Sequence, residues 1–353
     1  MKSEDPWDPH EPDFNSCLVR PYPWFEGWFF RIRDPQSDFS IALIIATNYV
    51  TSESHATLLF CNPGENPNSD GSIENGITHM VYELTKDATI TKVSNSLEDY
   101  GFDWEEPTIG KVLARKNKTN IDVHVKGYHL KANLTSKVHW NLSDPYKGPE
   151  GWASIISILP TRWYIDSLGS KASYEFKDTN GLDIIGQGWA HEEKNWGQIF
   201  PDGHVWLQAS SNDNSTQLVC SVAWFKVGSV KMPYIFSLGF RSPSHQIDMR
   251  TIDIGTLLTD VSIRPHKGEF SMRAINPSYS IQITAVAPPE SFSEPILAPV
   301  SKLEWKPTCR ESYFANIKVE VYDHVVWGIP IDKKLVSSHT FSHAALEFGG
   351  RQF

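Results

Sequence analysis

The sequence contains few cysteines, no long apolar runs and no concentration of positive charge. No window approaches the roughly eighteen consecutive apolar residues of a membrane-spanning helix, so no integral membrane segment is expected. Lys and Arg number 32 against 42 Asp and Glu, a formal net charge of −10, and no Lys/Arg-rich stretch occurs. Nucleic acid and an anionic membrane surface therefore have no electrostatic footing as partners. Cys17, Cys61, Cys220 and Cys309 are widely spaced, with neither a CxxC nor a Cys/His pattern. That argues against structural zinc and leaves disulfides open. There is no Gly-x-Ser-x-Gly elbow, no phosphate-cradling glycine loop and no His-Glu-x-x-His, so metal and covalent catalysis have no support. His124, His129, His339 and His343 read as ordinary surface histidines.

The N-terminus is acidic and proline-rich and has neither the apolar core of a signal peptide nor the arginines of a transit peptide. Sequons stand at Asn117, Asn133, Asn141 and Asn214. The expectation is a secretory-pathway protein whose leader has been removed, with a cytoplasmic protein as the other reading.

Strand patterns are present nearly everywhere. Residues 38–47 are an apolar, β-branched run, and Ile121, Val123 and Val125 alternate with polar neighbours. Gly127 then shifts the phase to Tyr128, Leu130, Ala132 and Leu134, which predicts a bulge in one long strand. No segment sustains helical spacing for three turns. The predicted fold is all-β, antiparallel sandwiches or barrels with few short helices. At 353 residues, two domains are expected. Linkers are read at 142–151 and 287–299, and the division is placed at 1–165 and 166–353.

Chemistry concentrates in residues 189–208. From Gly203 to Gln208 the period is two, so His204, Trp206 and Gln208 share one face while Val205, Leu207 and Ala209 share the other. The segment from His191 to Pro201 reads as a loop entering that strand. Glu193-Lys194-Asn195-Trp196-Gly197, then Phe200-Pro201, Trp206 and Gln208, resembles the central motif of the tocopherol cyclase family. Two further stretches are similar to the same family. One is Arg20-Pro21 followed by Trp24-Phe25-Glu26-Gly27-Trp28-Phe29-Phe30. The other comprises the closing segments Pro307-Thr308-Cys309-Arg310-Glu311-Ser312 and Ala345-Leu346-Glu347-Phe348-Gly349-Gly350. Two departures stand out: His204 occupies a slot that is aromatic in the family, and Gln198-Ile199 replaces a glycine-rich link.

The resemblance implies two lipocalin-like β-barrel halves and a cyclase that needs no cofactor. Such an enzyme protonates a trisubstituted alkene, and a phenol oxygen captures the tertiary cation. Relatives of this architecture include carotenoid hydratases and pericyclic enzymes. The function expected here is closure of an oxygen heterocycle on a terpenoid-derived phenol, quinol or quinone methide in secondary metabolism, by protonation or hetero-Diels–Alder addition. The competing readings are a lipocalin-like carrier of hydrophobic small molecules and a carotenoid-type hydratase. The expected catalytic residues are His204, Glu26 and Gln208. Trp196, Trp206, Trp28, Asn195 and Lys194 are expected to bind substrate, with no metal and no cofactor. Glu26 shares its face with Trp28, Phe30 and Ile32, so two roles stay open: a proton donor with a raised pKa, or one half of a structural pair with Lys194.

Overall fold

A computed structural model describes residues 10, 12, 23–61, 76–93, 101–141, 148–155, 161–198, 200–324 and 334–350. Cys17, Arg20, Pro21, Ile199 and linker residues 142–147 lie outside the described residues. The protein is nearly all β, with 69% of the described residues in strands, and its two antiparallel sheets are lipocalin-like half-barrels. Its helical content among the described residues is three short 3₁₀ turns, Gly151–Ile155, Pro265–Lys267 and Pro289–Ser291, and no helix is long and apolar enough to cross a membrane.

The first sheet comprises β1 (Phe25–Asp34), β2 (Phe39–Asn48), β3 (Glu53–Phe60), β4 (His79–Thr85), β5 (Thr89–Lys92), β6 (Gly101–Glu106), β7 (Gly110–Arg115), β8 (Lys118–Val125), β9 (Tyr128–Thr135), β10 (Thr161–Lys177) and β11 (Asp183–Gly197). The strand order is β4-β3-β2-β1-β11-β10-β9-β8-β7-β6-β5. The strands β1 to β4 and β5 to β11 run as two meanders of sequence neighbours; β11 pairs with β1 where the meanders meet, and the consecutive strands β4 and β5 are the two edges of the sheet. Alternate residues of these strands, Phe30, Ile45, Leu58, Val112 and Val123 among them, meet in one core. That is the behaviour of a sheet curled on one apolar face.

The second sheet contains β12 (Gly203–Ser210), β13 (Gln217–Trp224), the small hairpin β14 (Lys226–Val227) and β15 (Val230–Lys231), β16 (Ile235–Arg241), β17 (Gln246–Arg250), β18 (Leu257–Arg264), β19 (Glu269–Ile275), β20 (Tyr279–Val286), β21 (Ile296–Ser301), β22 (Glu304–Asp323) and β23 (Lys334–Gly350). Its order is β17-β16-β13-β12-β23-β22-β20-β19-β18; β21 pairs with β22, and β14 and β15 pair only with each other. Its core gathers Val205, Leu207, Cys220, Leu238, Ile283 and Phe348.

The chain divides into two compact units: 1–63, 80–200 and 299–305, and 64–79, 201–298 and 306–353. Residues 165 and 166, where the sequence places its boundary, lie inside the 17-residue strand β10. Among the described residues no disulfide forms; Cys61, Cys220 and Cys309 are each buried as thiols.

Two local expectations are corrected. The phase shift at Gly127 is a hairpin and not a bulge: Lys126 and Gly127 adopt φ of 51° and 87°, and β8 turns back on β9 with Val125 opposite Tyr128. Two consecutive positive φ values make a tight two-residue connection, which reverses the chain and resets the alternation. Residues 191–197 are strand, the end of β11, and not a loop. Both faces of β11 are buried there, so charged residues fall on each and the pattern of polarity loses its period.

Candidate functional site

In the first unit, β11 lies between β1 and β10, and its register sets the site. Glu26 is opposite Trp196 and Trp28 opposite Lys194; on the far side Arg162 is opposite Trp196 and Tyr164 opposite Lys194. Residues opposite one another share a face, so these side chains converge on the inner side of the sheet. Lys194 Nζ donates to Glu26 Oε1 at 2.9 Å, and both side chains are fully buried. Tyr49 Oη donates to Glu26 Oε2 at 2.6 Å. The Lys194 ammonium lies 5.1 Å from the Trp28 ring centre and 4.8 Å from that of Trp196. Both distances are within cation–π range. Arg162 lies 5.6 Å from the Trp196 ring, and its Nε donates to both Glu150 oxygens at 2.8 and 2.6 Å.

Deeper on the same face is a second polar cluster. Two bulges in β10, between Ile165 and Ser167 and between Ser167 and Ser170, turn extra side chains towards Glu192. Glu192 accepts from Thr119 Oγ1 at 2.6 Å and from Ser170 Oγ, with Lys137 Nζ at 3.5 Å. Lys137 also pairs with Asp166, whose Oδ2 lies 3.7 Å from His10 Nε2. Burial, then the Lys137 charge, holds the His10 pKa well below the ordinary imidazole range. Asn195 falls on the opposite face of β11 from Lys194 and Trp196. There its Nδ2 donates to Glu193 Oε1 at 3.3 Å, and His191 Nε2 donates to Glu193 Oε2 at 2.8 Å.

In the second unit, β23 lies between β12 and β22. His204 is opposite Gly349, Trp206 opposite Glu347 and Gln208 opposite Ala345; Cys309 is opposite Gly349 and Glu311 opposite Glu347. His204, Trp206 and Gln208 therefore share one face with Glu347, Cys309 and Glu311. Val205 and Leu207 point the other way, into the apolar core. His204, Trp206 and Gln208 are nevertheless 5%, 7% and 3% exposed, so their face is a buried polar one and not a solvated one. His204 Nε2 donates to Glu347 Oε1. Gly349 makes room for the ring: a Cβ there would lie 2.0 Å from His204 Cε1 and 2.6 Å from Cys309 Sγ. Burial, and next the Glu347 charge, pushes the Cys309 thiol well above its ordinary value, so it stays a neutral thiol.

The expected residues thus form two groups. Glu26, Trp28, Lys194 and Trp196 meet in the first unit; His204, Trp206 and Gln208 share a face in the second. Tyr49, Arg162, Lys137 and Asp166 in the first unit, and Glu347 as the His204 partner in the second, carry no local signal. Glu347 is 143 residues from His204; only its place in the closing segment singles it out.

Among the described residues, three sets of side chains have one ligand atom each within 4.8 Å of one another: His204, Cys309 and Glu347; His10, Asp166 and Glu192; and Asp122, His124 and His129. In the first two, the carboxylates already serve the pairs described above.

Residues 117–350 match the family described as tocopherol cyclase-like. No curated protein matches the chain. Among solved structures the chain is similar to CghA, with a TM-score of 0.56 and 9% identity over 98% of this chain and 96% of that one. CghA with Sch210972 superimposes with a TM-score of 0.56 at 7% identity, over 92% and 87% of the two chains. Kievitone hydratase from Nectria haematococca gives 0.51 at 7% identity, over 93% and 89%. At these identities the likeness is one of fold.

Proposed function

The chain belongs to the tocopherol cyclase-like family, and from that premise we propose that it is a cofactor-independent cyclase closing a chroman or dihydropyran ring on a terpenoid-derived phenol, quinol or quinone methide. The observation that carries this reading is His204, held by Glu347 on a buried face beside Trp206 and Gln208. Ring closure needs a group that exchanges a proton, a polar contact for the substrate oxygen, and an apolar surface that excludes water. Imidazole, carboxamide and indole supply these in that order.

In the protonation route a proton adds to the less substituted alkene carbon, and the phenol oxygen attacks the tertiary cation. The phenolic proton is then released, so the product is an isomer of the substrate. In the hetero-Diels–Alder route the protein only orients the partners and donates a hydrogen bond to the quinone-methide carbonyl, and orientation alone can supply several kcal/mol. Glu26 and Lys194 serve as a brace in this scheme: both Glu26 oxygens already accept hydrogen bonds, and the Lys194 ammonium lies over Trp28 and Trp196.

The test is incubation of prenylated quinols and quinone-methide precursors with purified protein, followed by chiral chromatography and mass analysis. One enantiomer of a ring-closed product, isomeric with the quinol or with the quinone methide released from its precursor and formed faster than in buffer, supports the cyclase. A product heavier by one water indicates a hydratase instead, and unaccelerated racemic product indicates a carrier.

A further inference from the structure

A hairpin of the first unit brings together three side chains that the proposed chemistry does not use. β8 and β9 are joined by the two-residue turn Lys126–Gly127, and the second pair out from the turn is His124 opposite His129. That pair is a non-hydrogen-bonded one: the His124 amide donates away from β9, to Ile109 O at 2.6 Å. Side chains stand closest in such pairs. The two imidazoles stack with centroids 3.9 Å apart and planes 7° from parallel. Asp122 is two residues before His124 and so shares its face, and its Oδ1 accepts from His129 Nε2 at 2.9 Å. One ligand atom from each of the three lies within 4.8 Å of the others. The Asp122 and His129 side chains are 45% and 21% exposed, so water and ions reach them.

We propose that Asp122, His124 and His129 form a binding site for a divalent transition-metal ion of the zinc or copper class. Two imidazoles and one carboxylate suit borderline ions, whereas Mg²⁺ and Ca²⁺ favour all-oxygen sets. Binding turns the two rings out of their stack so that a nitrogen lone pair of each points at the ion, which replaces the Asp122–His129 hydrogen bond as the link between these side chains, and water completes a tetrahedron. The tight turn already fixes both strands, so little ordering is lost on binding. Lys111 and Lys131 stand opposite Asp122 on its two flanks, and their charges weaken the site.

The test uses the full chain, stripped with a chelator and dialysed, titrated with ZnCl₂ by calorimetry and with CuSO₄ by electron paramagnetic resonance. One equivalent should bind, with hyperfine coupling to imidazole nitrogen, and His124→Ala and His129→Ala should each weaken binding at least about tenfold. Circular dichroism of both variants should match the parent, because the site is at the surface. No saturable zinc binding, or undiminished binding when His124→Ala and His129→Ala are combined, overturns the proposal. So does binding lost on His204→Phe in its place, which would assign the ion to His204, Cys309 and Glu347.

Discussion

Glu26 and Lys194 form one diagonal of a square whose other diagonal is Trp28 and Trp196. Glu26 is opposite Trp196 and Lys194 opposite Trp28, yet the charges bond across the square at 2.9 Å and the ammonium is placed between the two indoles. Removing one member of a fully buried pair strands the other charge without water, which costs about 3–5 kcal/mol. Lys194→Met should therefore lower the urea midpoint substantially. The double variant Glu26→Gln/Lys194→Met should recover much of the loss, since no unpaired charge remains. A Lys194→Met protein that unfolds at the parent's midpoint would show that the pair is no brace.

Acid sensitivity has an identified contributor in the first unit. Burial lowers the pKa of His55 from 6.5 to about 4; its ring meets the Trp305 ring edge-on with centroids 4.9 Å apart, and its Nδ1 lies 3.0 Å from Thr57 Oγ1. Between pH 6.5 and 4 the unfolded chain takes up a proton that the folded chain refuses. Stability therefore falls as pH drops through this window, and His55 contributes no pH dependence above it. Lowering from 6.5 to about 4 corresponds to roughly 3 kcal/mol at full effect. His10, lowered by burial and Lys137, acts in the same direction. Unfolding free energies measured from pH 7 to 4 should show a shallower slope for His55→Gln than for the parent. Equal slopes would mean that His55 takes up its proton in the folded state.

Gly349 is a space requirement of the second unit. An added methyl group would lie 2.0 Å from His204 Cε1 and 2.6 Å from Cys309 Sγ, and overpacking of this kind costs about 1–3 kcal/mol. Gly349→Ala should displace the imidazole from Glu347, lowering both the melting temperature and the rate of product formation. Full rate and unchanged melting in this variant would place the ring elsewhere.

The legible parts of this protein were those with a local period. The shared face of His204, Trp206 and Gln208 follows from strand alternation alone, and the pairing of β12 with β13 and β23 keeps it. Period failed where both faces of a strand are buried, so the segment from His191 to Gly197 read as loop. It failed again where a turn resets the phase, and thus His124 and His129 read as ordinary surface histidines although they stack. Partners distant in sequence left no trace in spacing: Glu347 beside His204, and Asp166 and Lys137 beside Glu192. Chain crossings were equally silent. Residues 64–79 and 299–305 each belong to the unit opposite to that of the chain on either side of them.

The decisive measurement concerns His204. Its ring is buried, donates Nε2–H to Glu347, and shares its face with Trp206 and Gln208. Phenylalanine retains a planar ring of similar size, as the family pattern has an aromatic here, and deletes the polar function. His204→Phe should stay folded, with a melting temperature lowered because the mostly buried Glu347 loses its partner, and form product about 10²-fold more slowly or worse, the usual cost of removing one positioned donor from a transition-state oxygen. Glu347→Gln keeps an acceptor for Nε2–H but loses the charge, so its rate should fall between those two. Cys309→Ser, beside the ring but a neutral thiol to begin with, should remain near the parent. The ordering matters more than any one value. Loss at His204 with a graded loss at Glu347 identifies a working pair, whereas loss at Glu347 alone would mean that the carboxylate itself meets the substrate. If His204→Phe keeps full rate and stereoselectivity, the proton-exchanging group is not in the second unit's polar face, and the buried carboxylates of the first unit become the candidates.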